Sequence, residues 1–352
     1  VTVTVAVDAM GGDNAPAEIV AGAREAASDD VRVLLTGVRA QLEPGLDGAN
    51  GVDIVDAPDV IGSSEEPAAA VRAKPDSSMV AACRLVRDGS AAAVVSAGPT
   101  GAMLAASLLH IGRIRGIARP GIGAPLPADG GPIILIDAGA NVDARAENLL
   151  QWGVMGSEFM RGVMGVDRPR VGLLSIGEEA TKGNALTLEA RRLLEAADLD
   201  FAGNCEGRDM FSGRFHVVVT DGFAGNVLLK GLEGTAAMVI GEVRRAAMSS
   251  ARAKLGGMLL RPALREVRER IDPDTYGGAY LLGLRGVVVI AHGNATRRTI
   301  ANAIRVAARG AEAGVVARMA ERLSHDPPGS DLQAPPAINT VPQVTAPEIG
   351  DQ

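Results

Sequence analysis

The chain has 352 residues, room for two to three domains at about 150 residues each, and its apolar fraction of 47% is mostly aliphatic, with 1 Trp, 2 Tyr and 5 Phe. So few aromatics argue against base-stacking nucleic-acid modules and immunoglobulin-like sandwiches, and a net charge of −7 argues against attraction of the whole molecule to nucleic acid. Two Cys outside any CxxC pair make neither a disulfide framework nor a structural zinc site, as in a reducing cytoplasm.

The N-terminus reads VTVTVAV, a strand without the basic and apolar regions of a secretory signal. Further apolar runs follow at Ala91 to Val95, Ile133 to Ile136, Val171 to Leu174, Val217 to Val219 and Val287 to Ile290. Helical spacing lies between them at Ala17 to Ala27, Ser78 to Arg87, Asn148 to Met160, Leu186 to Ala197, Asn226 to Ala247 and Thr296 to Leu323. Continuous apolar strands separated by helices predict an α/β fold, a three-layer α/β/α sandwich around a mostly parallel sheet. Residues 90–112 carry no Asp, Glu, Lys or Arg and could span a bilayer by length. Ser96, Gly98, Pro99 and Gly101 interrupt them, which favours strand, loop and buried helix. Residues 1–322 read as one intertwined catalytic domain, and 323–352, with 6 of the 19 Pro, as a disordered tail.

Most runs end in loops rich in Gly, Asp and Asn: DAMGGD (Asp8 to Asp13), SAGPTGA (Ser96 to Ala102), DAGANVD (Asp137 to Asp143), SIGEEATKGN (Ser175 to Asn184), GNCEGRD (Gly203 to Asp209), TDGFAGN (Thr220 to Asn226) and AHGNAT (Ala291 to Thr296). Loops at strand carboxyl ends of a parallel sheet gather on one edge, so all seven are expected to meet in one crevice. Glycine lets backbone N–H groups approach a ligand, and a following helix N-terminus favours an anion. One such loop is ordinary turn chemistry, and Asp8 or Asp137 could be mere caps; seven together point to a site.

Several chemistries are set aside. There is no GxGxxG after the first strand, GEEATKGN is not a P-loop because Lys182 precedes its Gly, and no GxSxG, HExxH or close Cys/His spacing occurs. His110 and His216 sit on apolar segments as structural residues, and Cys83 as a core residue; Cys205, in a loop, has no base near it in sequence.

DAMGGDNAP, PDSSM (Pro75 to Met79), SAGPTGA, GRIRGIARP (Gly112 to Pro120), DAGANVD, KGN (Lys182 to Asn184), EGRD, TDGFAGNVLLK, YGGAYLLGL (Tyr276 to Leu284) and AHG follow one another in this order. Through them the chain resembles the bacterial phosphate acyltransferases over roughly residues 3 to 320. The resemblance implies an isocitrate-dehydrogenase-like fold, a homodimer, no cofactor or metal, and transfer of a fatty acyl group from acyl-ACP to inorganic phosphate. It also implies delivery of the acyl phosphate to a membrane glycerol-3-phosphate acyltransferase, hence a cytoplasmic protein peripheral to the inner face of the cell membrane. The chain departs from the family pattern at Pro99, where relatives carry Asn, and at Asn14, where many carry His, so no role is placed on either.

Phosphate is largely dianionic near pH 7, and a thiol with pKa near 8.5 is a fair leaving group. The chemistry therefore needs no Ser/His/Asp machinery, only orientation and oxyanion stabilisation. Lys182 is expected to be the cation for phosphate or oxyanion, with Asn184 and Asn226 as donors, His292 protonating the thiolate or orienting phosphate, and Asp221 positioning a donor. The phosphate cradle is expected from Asp8, Gly11, Gly12, Asp13, Ser96, Gly98, Thr100 and Gly101, with Asp137, Gly139, Asn141 and Gly225.

Residues 240–271 hold eight Lys/Arg against three Glu, a local +5, and read as a helical hairpin with an apolar tip at Leu255 to Leu260. Arg252, Lys254, Leu255, Met258, Leu259, Leu260, Arg261 and Arg265 are expected to meet acidic ACP or an anionic bilayer; a solvated hairpin packed on a dimer mate is the plainer reading. Three other readings stay open: a phosphotransacetylase-like enzyme using acyl-CoA, a non-catalytic dimeric scaffold for lipid enzymes, and a metal- and NAD-dependent dehydrogenase.

Overall fold

Aliphatic and β-branched runs fold as strands where helices cover both faces of a sheet, and all six runs read from the sequence do so. The computed structural model describes residues 2–271 and 273–324. The first half comprises β1 (Val3–Asp8), α1 (Ala17–Ala26), β2 (Val31–Gly37), α2 (Arg39–Leu42), β3 (Val52–Asp56), α3 (Pro67–Ala73), α4 (Ser78–Arg87), β4 (Ala93–Ser96) and α5 (Thr100–Ala106). Then come β5 (Gly121–Leu126), β6 (Ile133–Ile136), α6 (Ala146–Gly162), β7 (Arg170–Leu174), α7 (Ala185–Ala196), β8 (Asp200–Cys205) and β9 (Val217–Val219). The rest is α8 (Gly222–Met248), α9 (Ala251–Ile271), β10 (Ala279–Leu282), β11 (Val287–Ile290), α10 (Arg297–Glu312) and α11 (Val315–Ser324).

The strands form one 11-stranded sheet in the order β3-β2-β1-β4-β11-β10-β5-β6-β9-β7-β8. β3, β2, β1, β4 and β11 run parallel, while β10 is antiparallel to both β11 and β5, and β5 is antiparallel to β6. β6, β9, β7 and β8 are parallel to one another. Three reversals across the middle make the two parallel halves point in opposite directions. This corrects the expected convergence of seven loops on one edge: those after β1, β4 and β11 share one edge, and those after β6, β7, β8 and β9 leave from the other.

Two apolar layers enclose the sheet. Val5, Val7, Val33, Leu35 and Val289 face α1, α6 and α10, and Ala6, Val94 and Val288 face α4 and α5. α1 meets α10 at Gly22, where an added Cβ would stand 2.7 Å from Ile300 Cβ. The single Trp, Trp152 on α6, is fully buried and its indole donates to the Arg119 carbonyl at 3.1 Å. Residues 90–112 form β4, α5 and a π turn at Ser107–Ile111 and are largely buried. Among the described residues the helix long and apolar enough to cross a membrane, by length and composition only, is instead α8, which is mostly not buried.

α8 and α9 make the expected hairpin, with Ser249 and Ser250 at its turn. Leu255 to Leu260 therefore do not form its tip, as expected, but lie within α9, whose helix runs on through Pro262. The segment from Thr296 to Leu323 is two helices, broken at Gly314, whose φ of 63° is one that glycine adopts without steric cost. The expected tail starts too early, since Leu323 and Ser324 belong to α11; residues 325–352 lie outside the described residues.

Two buried aspartates at strand ends shape the loops. Asp137 accepts backbone N–H bonds from Ile122, Gly139, Ala140 and Asn141 at 2.7–3.1 Å. Each of these donors left unpaired would cost about 1–3 kcal/mol, so this side chain largely dictates the path of residues 137–141. Asp8 accepts from Met10 N at 3.2 Å and Ser96 Oγ at 2.7 Å, and Ser96 Oγ accepts in turn from Gly98 N at 3.0 Å. Burial pushes the Asp8 carboxyl above the ordinary carboxylate range, against hydrogen bonds that lower it.

A carboxyl raised in the folded state binds its proton more tightly there, so the stability it contributes is present at low pH and lost as pH rises through the folded value. The stability of Asp8→Asn relative to the wild type is therefore expected to increase as pH rises from about 4 to 7. Denaturant unfolding of both proteins across that range checks it; a flat or declining difference would contradict it.

Candidate functional site

Short central strands bring the two sheet edges within reach of each other. β10 and β6 have four residues each and β5 has six, so at about 3.3 Å per residue the sheet is only about 13–20 Å deep here. A cleft of about 1240 Å³ opens over this region, bounded by Ala97 to Gly101 and His292–Gly293 from one edge and by Ala138–Gly139 and α8 from the other. The segment after β8 adds Phe211, whose carbonyl accepts from Asp129 N at 3.0 Å.

On one side, the loops after β1, β4 and β11 interlock through glycine. A Cβ on Gly11 would stand 2.6 Å from Asp8 Oδ2 and 2.7 Å from Gly98 N, so nothing larger fits. Gly12 has φ of 100° and lies against the Gly293 carbonyl, which accepts from Asp13 N at 2.6 Å. Asn14 Nδ2 donates to the Asn294 and Ala295 carbonyls at 3.1 Å each, a structural tie.

On the other side, Gly225 packs on the Asp137 carbonyl and Gly139 lies against Asn226. Asp221 caps α8, accepting from Phe223 N and Ala224 N at 3.0 and 2.9 Å. One face of α8 thereby turns toward the cleft, bearing Asn226, Leu229, Lys230 and Glu233.

Of the residues expected at the site, Gly12, Asp13, Gly98, Thr100, Gly101, Gly139, Asn226 and His292 line the cleft. Asp8, Ser96, Asp137 and Gly225 are buried behind its walls, and Gly11 is packed with them. Asn141 Nδ2 is spent on Asp137 and the Pro120 carbonyl at 2.8 and 2.7 Å. Lys182 and Asn184 stand exposed at the end of β7, outside the cleft lining, where Asn184 caps α7 by accepting from Thr187 N at 2.9 Å.

Lys230 and Glu233 were not foreseen as site residues. TDGFAGNVLLK contains Lys230, and the spacing 226, 229, 230 and 233 is that of one helix face, so the signal lay in the periodicity after Asn226. Lys230 Nζ is 2.7 Å from Glu233 Oε2, and His292 Nε2 is 3.8 Å from Glu233 Oε1.

The other titratable candidates are structural. Cys205 ends β8 rather than lying in a loop, and burial pushes its thiol and that of Cys83 up to about 12, so neither is a thiolate at neutral pH. His216 Nδ1 accepts from Arg170 N at 3.0 Å, and burial lowers both His216 and His110 below the ordinary imidazole range. Among the described residues no group of three His, Cys, Asp or Glu side chains is placed to hold a metal ion. The cleft offers glycine loops, one amide side chain, one ammonium group and one imidazole beside a long apolar wall, which suits a reaction between an anion and a substrate with an apolar chain.

Comparison with known proteins agrees. The family described as "Fatty acid synthesis protein" matches residues 3–318. Phosphate acyltransferase of Pelotomaculum thermopropionicum is 50% identical over 312 residues, 88% of this chain and 91% of that protein. The one of Heliobacterium modesticaldum is 49% identical over 325 residues, 91% of this chain and 97% of that one. Among solved structures, a phosphotransacetylase from Streptococcus pyogenes has a TM-score of 0.61 at 17% identity, covering 88% of this chain and 94% of that one. A 4-hydroxythreonine-4-phosphate dehydrogenase from Klebsiella pneumoniae has 0.53 at 15%, covering 88% and 98%. At these identities the solved structures establish the fold alone. The curved wall of glycine loops facing α8 is thus found in a chain that belongs to the phosphate acyltransferase family of fatty acid synthesis proteins.

Proposed function

We propose that the cleft transfers a fatty acyl group from the thioester of acyl-ACP to inorganic phosphate by direct attack, giving acyl phosphate and the free carrier thiol. The carrying observation is the division of the cleft. Gly12, Asn226, Lys230 and His292 lie in its polar part, while Ile122, Ala124, Leu126, Leu229 and Leu232 form an apolar wall. The apolar wall, in a cleft of about 1240 Å³, favours a long acyl chain over an acetyl group.

The reaction balances without a cofactor or an enzyme nucleophile. A phosphate oxygen forms a bond to the thioester carbonyl carbon, the C–S bond breaks, and the proton of hydrogen phosphate ends on the thiolate, with His292 placed to relay it. Lys230, in the cleft as Lys182 is not, offsets the charge of phosphate and of the tetrahedral oxyanion, aided by the Asn226 amide. Pro99 lines the cleft but has no N–H to offer.

The hairpin supports a second part of the reading: contact with an anionic membrane surface, where a membrane glycerol-3-phosphate acyltransferase would take the product. Met258 and Leu259 are 70% and 76% exposed, Leu255 and Leu260 are exposed beside them, and Arg252, Lys254, Arg261 and Arg265 are exposed on the same helix. Exposed apolar residues among cations suit an interfacial helix and also offer acidic ACP a docking face. The resemblance to the family supports assembly as a homodimer as part of this reading.

Phosphate-dependent release of free ACP thiol is expected with long-chain acyl-ACP, and at least tenfold less turnover with acetyl-CoA. Lys230→Ala and His292→Ala should each lower turnover about 100-fold, the order of losing one oxyanion donor, with the thermal midpoint nearly unchanged. Equal use of acetyl-CoA, or wild-type rates in both variants, would refute this assignment. For the hairpin, sedimentation with vesicles of anionic phospholipid is expected to capture the wild type and to lose Leu259→Glu; undiminished capture of that variant would remove the membrane contact.

A further inference from the structure

Lys230 and His292, on two walls of the cleft, flank one carboxylate. Glu233 Oε2 lies 2.7 Å from Lys230 Nζ, while its other oxygen, Oε1, lies 3.8 Å from His292 Nε2. Lys230 and Glu233 stand three residues apart on α8, whereas His292 comes from the loop after β11, so the carboxylate joins two separate walls of the cleft. The Glu233 side chain is 31% exposed against 59% for Lys230 and 49% for His292. The carboxylate therefore sits deeper than the groups it holds.

We propose that Glu233 is a positioning residue of the acyl transfer: it holds the Lys230 ammonium and the His292 imidazole on facing walls so that both aim at the same phosphate and oxyanion. The inference rests on the reading of this cleft as the phosphate site. A lysine on its flexible stem has many rotamers open to solvent, and an anchored one loses less freedom when the oxyanion forms. The carboxylate also adds a negative charge near a dianionic substrate, which opposes phosphate binding in the ground state. Positioning raises the rate while repulsion weakens binding, so the two effects of Glu233 act on different kinetic constants. The spacing alone is ordinary: Arg192 and Glu189 make an equally short pair of 2.7 Å on α7, outside the cleft lining.

Glu233→Gln is near-isosteric and removes only the charge. Its kcat with acyl-ACP is expected to fall 10- to 100-fold while KM for inorganic phosphate stays within twofold or falls. Glu233→Asp, which keeps the charge, should recover part of that kcat, and Glu189→Gln should match the wild type. In a Lys230→Ala background, adding Glu233→Gln should cost at least threefold less than it does in the wild type, because one of the two groups it positions is gone. A Glu233→Gln kcat within twofold of wild type, a tenfold rise in phosphate KM at unchanged kcat, or fully multiplicative losses in the double variant would each overturn the inference. Absence of phosphate-dependent turnover in the wild type would overturn the reading of the cleft and this inference with it, whereas a normal kcat in Glu233→Gln overturns the inference alone.

Discussion

Backbone N–H groups gathered on buried carboxylates are the constraint on which the site depends. Asp137 collects four of them and the Asn141 amide besides, and Asp8 joins the first glycine loop to the second through Ser96. In water these loops would be mobile turns with solvated amides. Once the carboxylates fix them, glycines at 11, 12 and 225 let separate segments touch where any side chain would collide. The loops so fixed line a cleft, with the cost of ordering them met during folding.

The reversal of strand direction sets which residues enter that cleft. In a uniformly parallel sheet the loops after β6, β7, β8 and β9 would stand beside those after β1, β4 and β11. Antiparallel β10, β5 and β6 send them to the far edge. Because these strands are short, α8 still leans back over the face of the sheet and carries Asn226, Lys230 and Glu233 into reach, while the loop after β7, with Lys182, does not line the cleft. The same hairpin that supplies this wall also carries the exposed basic and apolar surface of α9. One element thus connects the apolar wall to the outside of the molecule through Val267, which lines the cleft.

The legible part of the fold was the part encoded by local pattern. Six β-branched runs read as strands because burial on both faces leaves no polar interruption, as in Ile133 to Ile136. β5, GIGAPL, and β10, AYLL, were not legible: glycine and proline carry a loop signal, and pairing with neighbours is what makes these residues extended. Strand direction across the sheet is a long-range property with no local signature, so the convergence of loops was overestimated and Lys182 was set in the wrong company. Glycine loops, Asn226 and His292 were legible because their chemistry is local. Glu233 was not, since its meaning comes from His292, 59 residues away in the chain.

The central claim is that phosphate attacks the thioester directly in the cleft lined by the glycine loops, Asn226, Lys230 and His292, with no acyl group ever attached to the protein. Rapid quench of the enzyme with excess acyl-ACP, followed by intact-mass spectrometry, tests this most directly. The account predicts the unmodified protein mass at every time point, with or without phosphate. A protein species heavier by one acyl group, formed without phosphate and discharged when phosphate is added, would contradict it.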